Sequence, residues 1–88
     1  MTVHELKTWP EYFQALLDGR KTFELRLDDR GFKVGDLLLL REYDRCADEY
    51  TGRETTRLIS YRLGPENCSP FTNGLQPEYC VLGLWPMQ

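Results

Sequence analysis

The sequence predicts one small, mainly β domain folded as a partly open barrel with a single helix, and three observations carry that expectation. The chain has 88 residues, enough for one modest hydrophobic core. One stretch near the N-terminus has helical spacing, while several short stretches have the alternation or the apolar runs of strands. Their order is strand, helix, then four strands. One helix cannot cover both faces of such a sheet, so the strands must largely cover one another, with the helix plugging one end.

Each element has its own signal. Residues 3–6 form a short first strand. Thr8-Trp9-Pro10-Glu11 then reads as a helix start, with Thr8 as cap, Glu11 completing a capping box and Pro10 in the first turn. Tyr12, Phe13, Leu16 and Leu17 make one apolar helical face, and Gly19 supplies the stop. Residues 22–27 alternate, which predicts Phe23, Leu25 and Leu27 toward the core and Thr22, Glu24 and Arg26 outward. After a turn at Lys33-Val34-Gly35-Asp36, residues 37–43 open on four leucines and read as a strand buried on both sides. Residues 44–52 form a polar connection ending in Thr-Gly, and residues 53–63 a further strand. Residues 64–78 hold three prolines and two glycines and read as a long loop, a lid or recognition element, before a closing strand over residues 79–85.

Composition narrows the function classes. The net charge of −3 argues against a strong non-specific grip on a phosphate backbone. Residues 19–33 nevertheless carry a local +2, from Arg20, Lys21, Arg26, Arg30 and Lys33 against Glu24, Asp28 and Asp29. No apolar run approaches the length of a membrane span, and MTVHELK lacks the basic and apolar regions of a secretory signal. Cys46, Cys68 and Cys80 are widely spaced, with no C-x-x-C and a single histidine, so the expectation is free thiols in a reducing cytoplasm and no structural zinc.

Several stretches together resemble a known family. HELK (4–7), WPEYF (9–13), GRKTFELR (19–26), DDRGFKVGD (28–36), LREYD (40–44), YTGRE (50–54) and the closing YCVLGL (79–84) are similar to the DUF3850 family. That family is placed among the ASCH domains of the PUA-like superfamily. The resemblance implies a PUA-like (ASCH) β-barrel of five to six strands with one main N-terminal helix, spanning residues 1–88 as one domain. It also implies a cleft at the barrel mouth, lined by residues 19–26, for RNA or a modified nucleotide. Fold does not fix function, so this implication is analogy. One ASCH branch carries G-x-K-T-x-T-x-R and hydrolyses the amide of N4-acetylcytidine with the Lys and second Thr of that motif and a distant Glu. Here Lys21 matches the Lys, but Glu24 stands where the hydroxyl nucleophile would be.

The candidate residues each admit a structural and a functional reading. Lys21 is either a solvated lysine or a contact to a phosphate or base carbonyl, or a base if burial lowers its pKa. Glu24 and Arg26 are either a surface pair or, in a cleft, a carboxylate reading an amine and a guanidinium clamping a phosphate or guanine edge. His4, the lone histidine, is a structural hydrogen-bonder or a general acid/base. Arg30, Glu42 and Tyr43 lie in family-like segments. Glu42 either joins Glu24 and Lys21 as acid–base machinery or pairs with Arg26 or Arg57. Trp9, Trp85, Tyr61 and Tyr79 are packing aromatics or a stacking surface for a base, Trp9 foremost.

The first expectation is therefore a cytoplasmic, cofactor-free module that binds RNA or a nucleotide or nucleoside derivative, with Lys21, Glu24 and Arg26 at its centre. Two alternatives stand beside it. One is a small amidohydrolase acting on an N-acyl nucleoside, with Lys21, Glu24 and Glu42 as catalytic candidates. The other is a protein-interaction modulator of a nucleic-acid enzyme.

Overall fold

The computed structural model describes residues 1–64, 75 and 78–86. Strand β1 (Val3–Thr8) leads into helix α1 (Pro10–Leu17), followed by β2 (Phe23–Leu27), β3 (Leu37–Asp44), β4 (Glu49–Leu63) and β5 (Tyr79–Pro86). This is the expected order. The five strands make one curled half-barrel sheet in the order β1-β3-β4-β5-β2. β1 runs parallel to β3, and the other neighbours are antiparallel. The core fills the concave side: Leu6 from β1, Leu38 and Leu40 from β3, Ile59 from β4, and Cys80, Leu82 and Leu84 from β5, with Leu16 of α1 and Phe32. Each such large side chain stabilises the fold by about 1.5–3 kcal/mol through burial. Leu37 and Leu39 are half-buried on the other side, so β3 is covered more on one face than on both.

The helix starts one residue later than a Thr8 cap would place it. Trp9 is the N-cap, in the extended conformation that a following proline favours, and no side chain caps the helix. Thr8 instead ends β1 with its side chain turned inward, and Glu11 pairs with Arg45 at 2.8 Å, so the expected capping box does not form. The stop is as expected. Gly19, at φ +78°, allows the Arg20 N–H to reach the Ala15 carbonyl at 3.0 Å and its own N–H to reach Leu16 at 3.2 Å, a Schellman closure.

The alternation in β2 is real, but its two faces are the reverse of the expected ones. Phe23, Leu25 and Leu27 are 48%, 56% and 46% exposed, whereas Glu24 is 4% exposed. The cause is register. Glu24 pairs with Leu82 and Arg26 with Cys80, both buried, while Leu25 pairs with Val81 and Leu27 with Tyr79. Paired residues share a face, so β5 carries the charges of β2 inward and its leucines outward. Tyr61, Tyr79 and Trp85 are likewise exposed on the outer face rather than lining a cleft.

β4 begins earlier than expected. Residues 45–48 alone form the turn, with Asp44 Oδ1 accepting the Cys46 and Ala47 N–H groups at 2.9 and 3.2 Å. Thr51-Gly52 is a bulge within the strand, not the end of a loop. The register shifts between Arg41 and Tyr43, and Gly52 sits there at φ +97°. Apart from Gly64, Leu75 and Glu78, the loop expected over residues 64–78 lies outside the described residues, as does Cys68. Among the described residues, no helix is long and apolar enough to cross a membrane.

β1 and β2 are the two edges of the sheet, and arginines span the seam between them. Arg26 Nη2 donates to the Lys7 carbonyl at 2.7 Å, and Arg30 Nη1 to the Glu5 carbonyl at 2.6 Å.

Candidate functional site

At one end of this seam lies a cavity of about 480 Å³. The end of β1 contributes Lys7 and Thr8, the start of the helix Trp9 and Tyr12, and the β2 region Lys21, Phe23, Glu24, Leu25 and Arg26. Its size is within the range of small-molecule sites. Glu24 organises the polar wall. Lys21 Nζ donates to Glu24 Oε1 at 2.5 Å and to the Phe23 carbonyl at 2.7 Å, while Arg26 Nε donates to Glu24 Oε2 at 2.8 Å. One buried carboxylate thus holds two cations, one on each oxygen.

These bonds leave donors over. An ammonium has three N–H groups and a guanidinium five. Lys21 uses two on Glu24 and Phe23, and Arg26 uses one on Glu24 and one on Lys7. The rest of the lining is largely apolar, from Trp9, Tyr12, Phe23 and Leu25, and the Lys21 ammonium lies 5.8 Å from the Tyr12 ring and 5.3 Å from the Phe23 ring. Thr8 is 2% exposed, and its Oγ1 is buried with no hydrogen-bond partner among the described residues.

The structure therefore brings four of the expected residues together, Lys21, Glu24, Arg26 and Trp9, and places the others elsewhere. His4 Nε2 pairs with Asp36 Oδ2 at 2.9 Å and meets the Phe32 ring edge-on, at the far end of β1. Asp36 also accepts the Thr2 and Lys33 N–H groups, and the His4 contact is the main cause of its pKa lying below the ordinary aspartate value. Arg30 sits on the seam, bonded to Glu5 and near Asp29. Glu42 does not line the cavity, and its partner is neither Arg26 nor Arg57. It accepts from Arg53 Nε at 3.0 Å and Thr51 Oγ1 at 2.7 Å, and both bonds lower its pKa. The Gly52 bulge is what turns both donors onto it. Tyr43 donates to Asp48, which pushes its pKa up to about 12, and its ring packs behind the cavity between Trp9 and Tyr50.

Lys7, Thr8 and Tyr12 also line the cavity, whereas the sequence reading has Thr8 only as a helix cap, Tyr12 only on the apolar helical face and Lys7 only within HELK. Lys7 stacks its ammonium 4.3 Å from the Tyr43 ring centroid. Strand parity does not point to Lys7 and Thr8 together: they are neighbours on β1, so the strand turns Thr8 to the buried face with His4 and Lys7 to the exposed one. Among the described residues, no group of three or more His, Cys, Asp or Glu side chains forms a metal ligand set.

Residues 3–84 match a family described as a domain of unknown function, DUF3850. The chain belongs to the DUF3850 family. It is also similar to an uncharacterized 12.9 kDa protein in the GpA 3′ region of Escherichia phage P2, at 36% identity over 58 residues. That match takes in 66% of this chain and 51% of the phage protein, so this DUF3850 chain aligns with about half the length of that relative. The cavity falls wholly within the residues that match the family.

Proposed function

We propose that this DUF3850 protein is an ASCH-type, PUA-like module that binds RNA or a nucleotide derivative in the seam cavity. The observation that carries the reading is the pair Lys21 and Arg26, both braced on the buried carboxylate of Glu24 at the wall of a cavity that aromatic side chains also line. Braced cations with N–H groups to spare suit a phosphate or a base acceptor. Trp9 lines the cavity, and its ring is the group on which a base would stack. The role of Glu24 changes with the geometry. With both oxygens engaged it is a positioning residue rather than a reader of an amine. No observation favours the amidohydrolase alternative, because Glu24 is doubly paired and Glu42 is turned to Arg53.

Calorimetric titration with mononucleotides and short RNAs tests the proposal. Wild type binds, Lys21→Ala and Arg26→Ala each bind more weakly, and the salt dependence is shallow, with a slope of roughly −0.7 per phosphate engaged and one or two phosphates in play. Absence of binding by wild type refutes the reading. A steep slope, reporting many phosphates, refutes the small footprint.

A further inference from the structure

The cavity carries more charge than the Lys21–Glu24–Arg26 group alone. Lys7 also lines it, and among the described residues no carboxylate pairs with Lys7; its ammonium rests on the Tyr43 ring. Three cations and one carboxylate leave the lining at +2, on a chain whose total is −3. Glu24 takes one N–H of Lys21 and one of Arg26, and the N–H groups left over on both cations can meet an incoming anion. The remaining walls are the rings of Trp9, Tyr12 and Phe23. Beside them is the buried Thr8 hydroxyl, without a partner among the described residues, a rarity in folded proteins and a mark of a site completed by something else.

We infer that the cavity takes a phosphate monoester carried on an aromatic base, with Lys7 as the third cation facing the phosphate. A monoester bears about −1.5 to −2 at neutral pH and three acceptor oxygens, which matches the +2 lining in a way that a neutral nucleoside or a singly charged internal diester does not. Two sources share this chemistry, a free nucleoside monophosphate and the phosphorylated end of an RNA. The inference rests on the nucleotide-binding reading above and sharpens it.

The test titrates wild type and Lys7→Gln with the four ribonucleosides, their 5′- and 3′-monophosphates, inorganic phosphate, and one short RNA carrying either a terminal phosphate or a terminal hydroxyl. At least one monophosphate binds about tenfold or more tighter than its nucleoside, and Lys7→Gln weakens the monophosphate more than the nucleoside, so that this difference narrows. A free nucleotide that binds as tightly as the phosphorylated RNA identifies the small molecule as the ligand. Tighter binding of the phosphorylated RNA, with loss on removal of its terminal phosphate, identifies the RNA end. Equal affinity for nucleosides and monophosphates overturns the inference and leaves the nucleotide-binding reading standing. Equal affinity for inorganic phosphate and the nucleotides overturns the aromatic half, and an unchanged Lys7→Gln overturns the role of Lys7. If wild type binds none of the probes, both readings fall. The nucleoside-against-monophosphate comparison is made on wild type, so it does not depend on the variant folding.

Discussion

Replacing Glu24 with glutamine keeps the shape of the side chain and removes the charge that holds two cations in place. The carboxylate is 5% exposed, and the side chains of Lys21 and Arg26 are 16% and 26% exposed. A glutamine has one acceptor oxygen, so its amide nitrogen must face Lys21 or Arg26, donor against donor. Breaking a buried ion pair costs about 3–5 kcal/mol, and the partial exposure of both cations lets them rehydrate, which brings the expected loss to about 2–3 kcal/mol. For a domain of this length that lowers the melting temperature by about 10–20 °C. Replacing all three residues with apolar ones (Lys21→Met, Glu24→Leu and Arg26→Met together) leaves no charge unpaired and recovers most of that loss. Thermal melts and urea titrations of the two variants decide the matter. If Glu24→Gln melts within about 2 °C of wild type, the carboxylate behaves as a solvated group and the braced triad is wrong. If the triple replacement is as unstable as the single one, the cost lies in packing or in the lost bonds to the Lys7 and Phe23 carbonyls rather than in unpaired charge.

Two other expectations concern buried oxygens. Thr8→Val removes a hydroxyl with no partner among the described residues and keeps its volume, so the ligand-free protein melts about 4–16 °C higher in a thermal melt, for about 1–2 kcal/mol of stability; a lower melting temperature means that the hydroxyl is satisfied. Glu42 has a folded pKa below the ordinary glutamate value of 4.5, so its contribution is full above that value and is lost as pH falls through the lower folded one. The stability gap between wild type and Glu42→Gln, followed by melting temperature across pH, is constant from about pH 8 to about pH 5 and closes below about pH 4. A gap that widens on acidification contradicts the assignment of Arg53 and Thr51 as its donors.

The features legible in the sequence were the local ones. Gly19 ended the helix as its spacing indicated, because a positive-φ cap needs only the residues beside it. The order of elements followed from periodicity. The faces of β2 were not legible, because a period of two is the same pattern read from either side. Which side is inward is set by pairing with Cys80 and Leu82, more than fifty residues away. Thr51-Gly52 looked like the end of a loop because a bulge and a turn make the same demand on glycine. Lys21, Glu24 and Arg26 are legible because they share one family-like stretch, GRKTFELR, and Trp9 because it opens another, WPEYF. Lys7 and Thr8 join them only because β1 runs two residues further than its apolar pattern indicates, to the seam with β2.

The inside-out arrangement of β2 has a competing explanation in edge protection, since inward-pointing charges on an edge strand are a known defence against unwanted pairing. That explanation accounts for part of what is seen. Arg26 and Arg30 satisfy carbonyls of the opposite edge at Lys7 and Glu5, which is what closing a seam requires. It does not account for Glu24. A single inward lysine would protect the edge at less cost, whereas a buried carboxylate must be desolvated and is no more stabilising than an apolar residue of its size. Nor does it require Lys7 and Lys21 to line a cavity together with aromatic side chains and a buried hydroxyl that has no partner among the described residues. Edge protection explains a charged seam, but a carboxylate that fixes two cations beside an open cavity is what the proposed anion site requires and what a closed seam does not.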